Sequence, residues 1–168
     1  MALMTPDFLF KDVTRISPRF LREQGIRALV LDVDNTLTDH GSQKLDEDVA
    51  HWLRRMQANG IPMMLASNNT KGRVAPFAKK LGIPYTSFCC KPLPMWLMEA
   101  KRRWGLPKEN IALVGDQVFT DLLAGPLYGA KVLLGRPLHE DIKPTVRFKR
   151  KLEKPLLMRY YQKGGKLL

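Results

Sequence analysis

The segment Ala28-Leu-Val-Leu-Asp-Val-Asp-Asn-Thr-Leu-Thr38 combines two signals in one short stretch. Its first half, residues 28–33, is apolar and rich in branched side chains apart from Asp32. An apolar run of this length predicts a strand that is buried on both faces of a sheet. Its second half is polar. If the chain turns after Asp32, the carboxylates of Asp32 and Asp34 reach one pocket from different sides.

Apolar runs and patterns with helical spacing alternate along the rest of the chain. We predict strands at residues 28–33, 62–66, 83–88, 111–114 and 131–134, and helices at 44–59, 71–81, 94–104 and 119–128. Each predicted helix is followed directly by a glycine, which is the common residue after a helix end. This alternation of five strands with four helices predicts an α/β fold with a three-layer, Rossmann-like, parallel five-stranded sheet. Ligands bind at the carboxyl ends of the strands in such sheets.

The length and the hydrophobic fraction predict one folded domain with a tail. The chain has 168 residues, and 45% of them are hydrophobic. We assign residues 1–142 to a single domain, which begins with a basic amphipathic segment at residues 1–25, and residues 143–168 to a basic C-terminal tail. Pro6 and Pro18 bracket a predicted short helix, which either packs on the core or lies on a lipid surface. The tail is expected to be partly helical or mobile.

The cysteines and the apolar runs bear on the cellular compartment. Cys89 and Cys90 are adjacent, and neighbouring cysteines rarely form a disulfide because the closed ring is strained. We therefore expect a reducing compartment, the cytoplasm. Residues 1–10 lack the pattern of a signal peptide, and no run approaches the roughly 20 apolar residues of a membrane span.

The positive charge is concentrated in the predicted tail. The formal net charge is +12, and residues 143–168 contain nine basic side chains against the single acid Glu153. Such a segment is typical of a chain with an acidic partner, which could be an anionic phospholipid surface, a nucleic acid or a polyanionic protein. We expect peripheral contact with an anionic membrane and infer no obligate protein partner.

Polar clusters follow three of the predicted strands, and a fourth element precedes a predicted helix. The fold is expected to bring all four to one edge of the sheet. They are Asp32 to Thr38, Ser67-Asn68-Asn69, Gly115 to Asp121, and Lys91-Pro92.

The residue types in these clusters suit a metal ion and a phosphate group. Asp32, Asp34 and Asp116 would repel one another and raise one another's pKa unless a cation joined them. A set of oxygen ligands without cysteine or histidine favours Mg²⁺. Lys91 offers a compact positive charge for a phosphate oxygen, and Ser67 can donate a hydrogen bond to another.

The four clusters together resemble the haloacid dehalogenase (HAD) superfamily of phosphatases. The resemblance rests on Asp-x-Asp-x-Thr at 32–36, Ser67, Lys91 and Gly-Asp-x-x-x-x-Asp at 115–121, in that order. The more particular form Gly-Asp-Gln-x-x-Thr-Asp resembles the YqeG-like subfamily, which is related to phosphatidylglycerophosphate phosphatases of mitochondria and plastids.

The resemblance assigns the main chemical roles to three acids. It implies that Asp32 is the nucleophile that attacks phosphorus. Asp34 would be the general acid for the leaving group and then the base for water. Asp116 would bind Mg²⁺ together with Asp32 and the main-chain carbonyl oxygen of Asp34.

The resemblance gives binding and supporting roles to five further residues. Ser67, Asn68 and Lys91 would hold the transferring phosphoryl group, and Lys91 would also stabilise its developing charge. Asp121 would support the metal or its waters, and Thr36 would shape the loop. An alternative for Asp121 is an acid in the first turn of a helix, which the helix dipole favours.

The spacing between the clusters bears on the substrate. The chain between Asp32 and Ser67 has room for one helix and none for a cap domain, which suits a large or surface-presented substrate. We therefore expect dephosphorylation of phosphatidylglycerophosphate to phosphatidylglycerol at the inner, cytoplasmic face of a membrane. The alternatives are a soluble sugar phosphate, a nucleotide or a phosphoprotein as the phosphate monoester. A module that binds RNA or the ribosome, with a vestigial site, is the alternative of another class.

Overall fold

A computed structural model describes residues 5–138 and 144–168 of the chain. Six strands and six α-helices alternate, and two 3₁₀ turns (Val13–Arg15 and Lys108–Asn110) and one π-helical turn (Val118–Leu122) lie between them. The strands are β1 (Phe8–Phe10), β2 (Ala28–Leu31), β3 (Met63–Ala66), β4 (Tyr85–Thr86), β5 (Ile111–Gly115) and β6 (Lys131–Gly135). The helices are α1 (Pro18–Glu23), α2 (Glu47–Ala58), α3 (Lys71–Leu81), α4 (Met95–Trp104), α5 (Leu123–Tyr128) and α6 (Pro144–Gln162).

The strands form one parallel sheet in the order β1-β6-β5-β2-β3-β4. This confirms the α/β fold and its parallel sheet, but the predicted number of five strands is wrong. The sixth strand, β1, is an edge strand of three residues that pairs with β6. The chain between β2 and β3 contains the single helix α2, as expected for a fold without a cap there.

Each central strand contributes side chains to both faces of the sheet. In β2, Leu29 and Leu31 belong to one buried cluster, whereas Ala28 and Val30 belong to another. The first cluster includes residues of α1, α2 and α3, and the second includes residues of α4 and α5. Because successive side chains of a strand point to opposite faces, an uninterrupted apolar run fills both layers of the core at once.

The N-terminal segment differs from its prediction. Instead of a helix between the two prolines, it forms β1, a 3₁₀ turn and then α1, which begins at Pro18. The Ser17 hydroxyl caps α1 by accepting a hydrogen bond from the amide of Phe20 (3.1 Å), and proline suits the first position of a helix. Its apolar side chains are inside the fold, among them Leu9, Phe10, Val13, Ile16 and Leu21. The alternative of a lipid-bound helix is therefore wrong for this segment.

Much of the predicted C-terminal tail is helix α6, which contacts the edge strand β1. The Tyr160 hydroxyl accepts a hydrogen bond from the amide of Leu9 (3.3 Å) and donates one to the carbonyl of Lys166 (2.9 Å). Beyond the helix, the amide of Leu168 donates to the carbonyl of Leu9 (2.9 Å). Lys143 lies outside the described residues. The division of the chain into domain and tail stays a prediction.

Two predicted elements are shorter in the structure than the sequence pattern indicates. The strand expected at 83–88 is reduced to the two residues of β4, and the helix expected from 44 begins at Glu47. Among the described residues, no helix combines the length and the apolarity that crossing a bilayer requires.

We predict that Tyr160→Phe lowers the free energy of unfolding by about 1–2 kcal/mol, because it leaves the amide of Leu9 and the carbonyl of Lys166 without their partner. Urea unfolding followed by circular dichroism measures this change. Tyr161→Phe is the matched control. Because Tyr161 is exposed, the loss of its hydroxyl should change the free energy of unfolding by no more than about 0.5 kcal/mol. Equal stabilities of the two variants would contradict the role of Tyr160.

Candidate active site

The predicted clusters meet at the carboxyl edge of the sheet because strands β2, β3 and β5 all end there. The amide of Asp32 donates to the carbonyl of Val114 (2.8 Å), so the ladder between β2 and β5 continues to the first acid. The chain then turns, and the amide of Leu37 donates to the carbonyl of Val33 (3.0 Å). Asn35 has a φ of 64° in this turn, a conformation that asparagine tolerates better than most residues.

Three buried carboxylates form the centre of the site. One oxygen from each of Asp32, Asp116 and Asp121 lies within 4.8 Å of the others. The Thr36 hydroxyl donates to Asp116 Oδ1 at 3.3 Å, which links the turn after β2 to the end of β5. The structure therefore brings together two acids that are 84 positions apart in the chain, and it adds Asp121 as a third member.

A glycine and a π-helical turn position Asp121. A Cβ atom on Gly115 would lie 2.3 Å from Asp121 Cγ, so any larger residue there would displace the carboxylate. The amide of Asp121 donates to the carbonyl of Gln117 (3.0 Å), and the amide of Val118 donates to the buried carboxylate of Glu153 on α6 (2.9 Å). π-Helical turns are frequent at functional sites. Asp121 is more than a first-turn acid, because its carboxylate is fully buried within the cluster.

Lys91 supplies positive charge to this cluster. Its Nζ donates to Asp32 Oδ1 at 2.5 Å and to Asp121 Oδ1 at 2.8 Å. Its main-chain amide donates to Asn68 Oδ1 at 2.8 Å, which fixes the lysine to the loop after β3. The ammonium also lies 5.2 Å from the centre of the Trp96 ring, within the range of a cation–π contact.

Burial and charge act on the pKa values in this cluster. Burial raises the pKa of Asp32 well above its usual value; Lys91 opposes this shift, and Asp121 and Asp116 add to it. Burial lowers the pKa of Lys91, but the carboxylates of Asp121 and Asp32 more than offset this and leave it above its usual value. Lys91 is therefore charged at any physiological pH, and a further cation beside Asp32 would favour the ionised form of that carboxyl group.

The donor set fits a hard divalent cation. With three carboxylates ionised and Lys91 protonated, these four side chains carry two net negative charges. Carboxylate oxygens that converge from three sides are ligands that Mg²⁺ accepts, and a divalent ion would balance the remaining charge. Asp32 and Asp116 are placed to hold such an ion, and Asp121 lies close enough to bind it or its waters.

The carboxylate of Asp34 is directed away from this cluster. It accepts hydrogen bonds from the amide of Gly41 (2.9 Å), from Asn69 Nδ2 (2.6 Å) and from Arg73 Nη2 (3.0 Å). The third carboxylate of the cluster is thus Asp121 rather than Asp34. If Asp34 binds a metal ion, its main-chain carbonyl oxygen rather than its carboxylate is the ligand. That contact stays a prediction.

Ser67 and Asn68 lie at the end of β3, beside the loop that carries Lys91. Ser67 is buried, and its hydroxyl accepts a hydrogen bond from the amide of Asn69 (3.1 Å). Asn68 uses its side-chain oxygen to hold the amide of Lys91, so the structure gives it a positioning contact. Phosphate binding by either residue stays a prediction.

Sequence reasoning missed Arg73 and Trp96 as members of the site, and it gave Asn69 of the second polar cluster no role of its own. Arg73 lies in the first turn of α3, where the helix dipole disfavours positive charge. That position could have indicated a specific acidic partner, which proves to be Asp34. Nothing in the local sequence indicated that Trp96 would lie against Lys91, because its spacing fits simple core packing.

The two cysteines are free, as expected. Cys89 is buried, and burial raises its pKa to about 11, so its thiol is protonated at neutral pH. Cys90 is exposed. Cys89 is therefore a packing residue beside the site rather than a nucleophile.

Comparison with known proteins identifies the class. Residues 40–129 match the family of haloacid dehalogenase-like hydrolases. The chain belongs to this family and is an enzyme of the HAD phosphatase type, which confirms the resemblance drawn from the motifs.

The chain is similar to individual phosphatases over most of its length. The chain is 31% identical over 159 residues to the probable phosphatase YqeG of Bacillus subtilis (strain 168), covering 95% of this chain and 92% of that protein. It is 28% identical over 171 residues to the chloroplastic/mitochondrial phosphatidylglycerophosphate phosphatase 1 of Arabidopsis thaliana, covering 96% of this chain but 49% of that protein. The crystal structure of a HAD family hydrolase from Deinococcus radiodurans R1 superposes with a TM-score of 0.59 at 16% identity, covering 76% of this chain and 88% of that one, and shows the shared fold.

We predict that Mg²⁺ raises the melting temperature of the protein by several degrees when it is present at about a hundred times its dissociation constant. Asp116→Asn should abolish this shift because it removes one charged ligand, while the new amide keeps an oxygen for Thr36. In metal-free buffer the variant should melt no lower than the wild type, since three like charges become two. Differential scanning calorimetry measures the melting temperatures of wild type and variant with and without Mg²⁺.

The matched control is Asp48→Asn, which removes an exposed acid from α2 and should leave the Mg²⁺ response intact. A full response to Mg²⁺ in the Asp116→Asn variant would show that the ion binds elsewhere.

Proposed function

We propose that the enzyme hydrolyses phosphate monoesters through an aspartyl-phosphate on Asp32, with Mg²⁺ as its cofactor. The observation that carries this proposal is the contact of one lysine with two carboxylates of a buried group of three. Lys91 holds Asp32 in place at the end of β2, and the same ammonium is positioned to bind an oxygen of an entering phosphoryl group.

The first chemical step transfers the phosphoryl group to the protein. An oxygen of Asp32 forms a bond to phosphorus while the ester bond to the leaving alcohol breaks. Asp34 gives a proton to the oxygen of the leaving alcohol. A water molecule then attacks phosphorus, Asp34 takes its proton, and inorganic phosphate leaves Asp32. Mg²⁺, when bound by Asp32, Asp116 and the carbonyl of Asp34, offsets negative charge on the phosphoryl oxygens.

The surroundings of Asp34 fit the second step better than the first. Three donors surround its carboxylate, which suits the ionised form that accepts a proton from water. To act as the acid, Asp34 must carry a proton and lose one of these contacts. The contact of Asn69 with Oδ2 is the one that we expect to change when a substrate binds, while Arg73 and the amide of Gly41 keep Oδ1 in place and so orient the carboxyl group.

We propose phosphatidylglycerophosphate as the substrate, with phosphatidylglycerol as the product, at the inner, cytoplasmic face of a membrane. Support comes from the name of the Arabidopsis relative, from the similarity to YqeG over nearly the whole chain, and from the absence of a cap between β2 and β3. A site without a cap admits a phosphate that remains attached to a surface. The basic residues of the C-terminal segment suit an anionic bilayer, at about 1 kcal/mol for each one near the surface.

We predict that the purified protein releases phosphate from phosphatidylglycerophosphate in mixed micelles only when Mg²⁺ is present, and that Asp32→Asn lowers this rate by more than about a thousandfold. EDTA should abolish activity and added Mg²⁺ should restore it. Asp39→Asn is the matched control, because it neutralises an exposed acid that follows the same motif.

The same assay should include a sugar phosphate, a nucleotide and a phosphopeptide. Rapid turnover of one of these without turnover of the lipid would contradict the lipid substrate while leaving the phosphatase chemistry in place. Full biological function of Asp32→Asn, together with salt-dependent RNA binding, would instead favour the nucleic-acid-binding alternative.

We predict that Arg73→Gln slows phosphoryl transfer more for an alkyl phosphate than for p-nitrophenyl phosphate, by about tenfold or more. The reason is that Arg73 orients the acid Asp34, and a nitrophenolate leaves without a proton whereas an alkoxide does not. Single-turnover kinetics on the two substrates measure the first step alone. Arg73→Lys should recover part of the alkyl rate because it keeps the positive charge. An equal loss on both substrates would assign Arg73 a merely structural role.

A further inference from the structure

We propose that an exposed apolar rim beside the active site docks the enzyme on an anionic lipid surface; this inference rests on the lipid phosphatase function proposed above. The rim consists of four residues on the loop between β4 and α4 and on the first turns of α4: Phe88, Leu93, Met95 and Met98. Their exposed fractions are 62%, 55%, 72% and 61%. A group of large apolar side chains this exposed typically marks an interaction surface.

The rim is adjacent to the chemistry. Lys91, whose ammonium contacts Asp32, lies between Phe88 and Leu93 in the chain. The amide of Phe88 donates to the carbonyl of Asn69 (3.1 Å), so the loop is fixed to the end of β3. A surface that contacts these side chains would therefore lie next to the position where a phosphoryl group enters.

The charges next to the rim favour an anionic partner. Met95 and Met98 are one turn apart on α4, and the exposed Lys101 and Arg102 continue the same helix by a further turn. Arg102 pairs with Glu99 (3.0 Å), so Lys101 is the uncompensated charge of the two. Lys71, also exposed, lies two residues after Asn69. Apolar side chains flanked by basic ones are the pattern by which peripheral proteins insert into the head-group region of an anionic bilayer.

The N-terminal segment is a poorer candidate for lipid contact than the rim, and Leu127 offers a control. The N-terminal segment, which the sequence offered as a lipid-bound element, buries its apolar side chains in the core. Leu127, at 53% exposure, lies at the end of α5, and α5 leads back to the amino ends of the strands. It is therefore an exposed apolar residue at the edge of the sheet opposite to the site, and it offers a matched control.

The first test compares three proteins for binding to vesicles. They are the wild type, the rim variant Leu93→Gln/Met95→Gln/Met98→Gln and the control Leu127→Gln. Wild type and control should sediment with vesicles of phosphatidylcholine and phosphatidylglycerol, and less with phosphatidylcholine alone. The rim variant should partition at least about tenfold less, because three apolar side chains no longer enter the bilayer. Lys101→Gln/Arg102→Gln should weaken binding to the anionic vesicles and reduce its dependence on salt.

The second test measures where the rim lies during binding. Cys90 is exposed within the rim and Cys89 is buried, so an environment-sensitive fluorophore can be attached to Cys90 alone. Its emission should shift to shorter wavelength when the anionic vesicles are added. An unchanged spectrum from vesicle-bound protein would place the rim in water and overturn the proposal.

Activity assays separate this proposal from the proposed function. The rim variant should hydrolyse p-nitrophenyl phosphate within about twofold of the wild-type rate, which also shows that it is folded, but it should lose about tenfold of its rate on phosphatidylglycerophosphate in vesicles.

Equal vesicle binding by rim variant and wild type would overturn the docking surface even if the wild type is an active lipid phosphatase. A wild type that binds vesicles through the rim but hydrolyses no phosphate monoester would support the docking surface and overturn the function. If the rim substitutions convert a dimer into a monomer in light scattering, the rim is a contact between copies and the proposal is wrong.

Discussion

The site depends on the contact of one buried ammonium with two buried carboxylates. Three carboxylates in a protein interior repel one another, and each loses the hydration that stabilises its charge in water. The ammonium of Lys91, which donates to Asp32 and Asp121, offsets part of both costs. Because that lysine is carried by a loop, its position depends in turn on the side chain of Asn68. The remaining negative charge is the physical argument for the proposed divalent cation, which together with Lys91 would stabilise a buried nucleophile.

The parallel sheet provides the geometry that this arrangement requires. Asp32 and Asp116 follow neighbouring strands, and the ladder between these strands, which continues to the amide of Asp32, sets the distance between the two acids. Gly115 lets Asp121 approach from the following turn, and that turn is held by Glu153 from α6. Arg73 reaches Asp34 from the start of α3. The acids therefore fall into two groups, one around Lys91 and the other around Arg73, which suits a nucleophile and an acid–base residue that have different tasks.

Local sequence patterns were sufficient for strands β2 to β6 and for the convergence of Asp32 and Asp116, because each of these acids follows an apolar strand and the strand ends share an edge. They were insufficient where a feature depends on a distant partner. Strand β1 has three residues and no pattern of its own, and it exists because β6 offers an unpaired edge more than 120 positions later. The pairing of Arg73 with Asp34 and the packing of Trp96 against Lys91 depend on side-chain directions that no spacing rule contains. For Asp121 the sequence left two interpretations; the structure buries its carboxylate next to Lys91, and its role in supporting a metal stays a prediction.

The edge of the sheet formed by β1 also determines an order of events during synthesis. The amide of Leu9 bonds to Tyr160, and Asp7 Oδ2 accepts a hydrogen bond from the amide of Val132 (2.8 Å), so the partners of β1 are translated more than 120 positions after it. Strands β2, β3 and β5 can pair as soon as residue 115 has left the ribosome, whereas β1 must wait for β6, the strand with which it pairs. Contacts of such long sequence separation are slow to form. The nascent chain therefore holds an assembled centre and an unpaired beginning at the same time, and during that interval it is most in need of a chaperone.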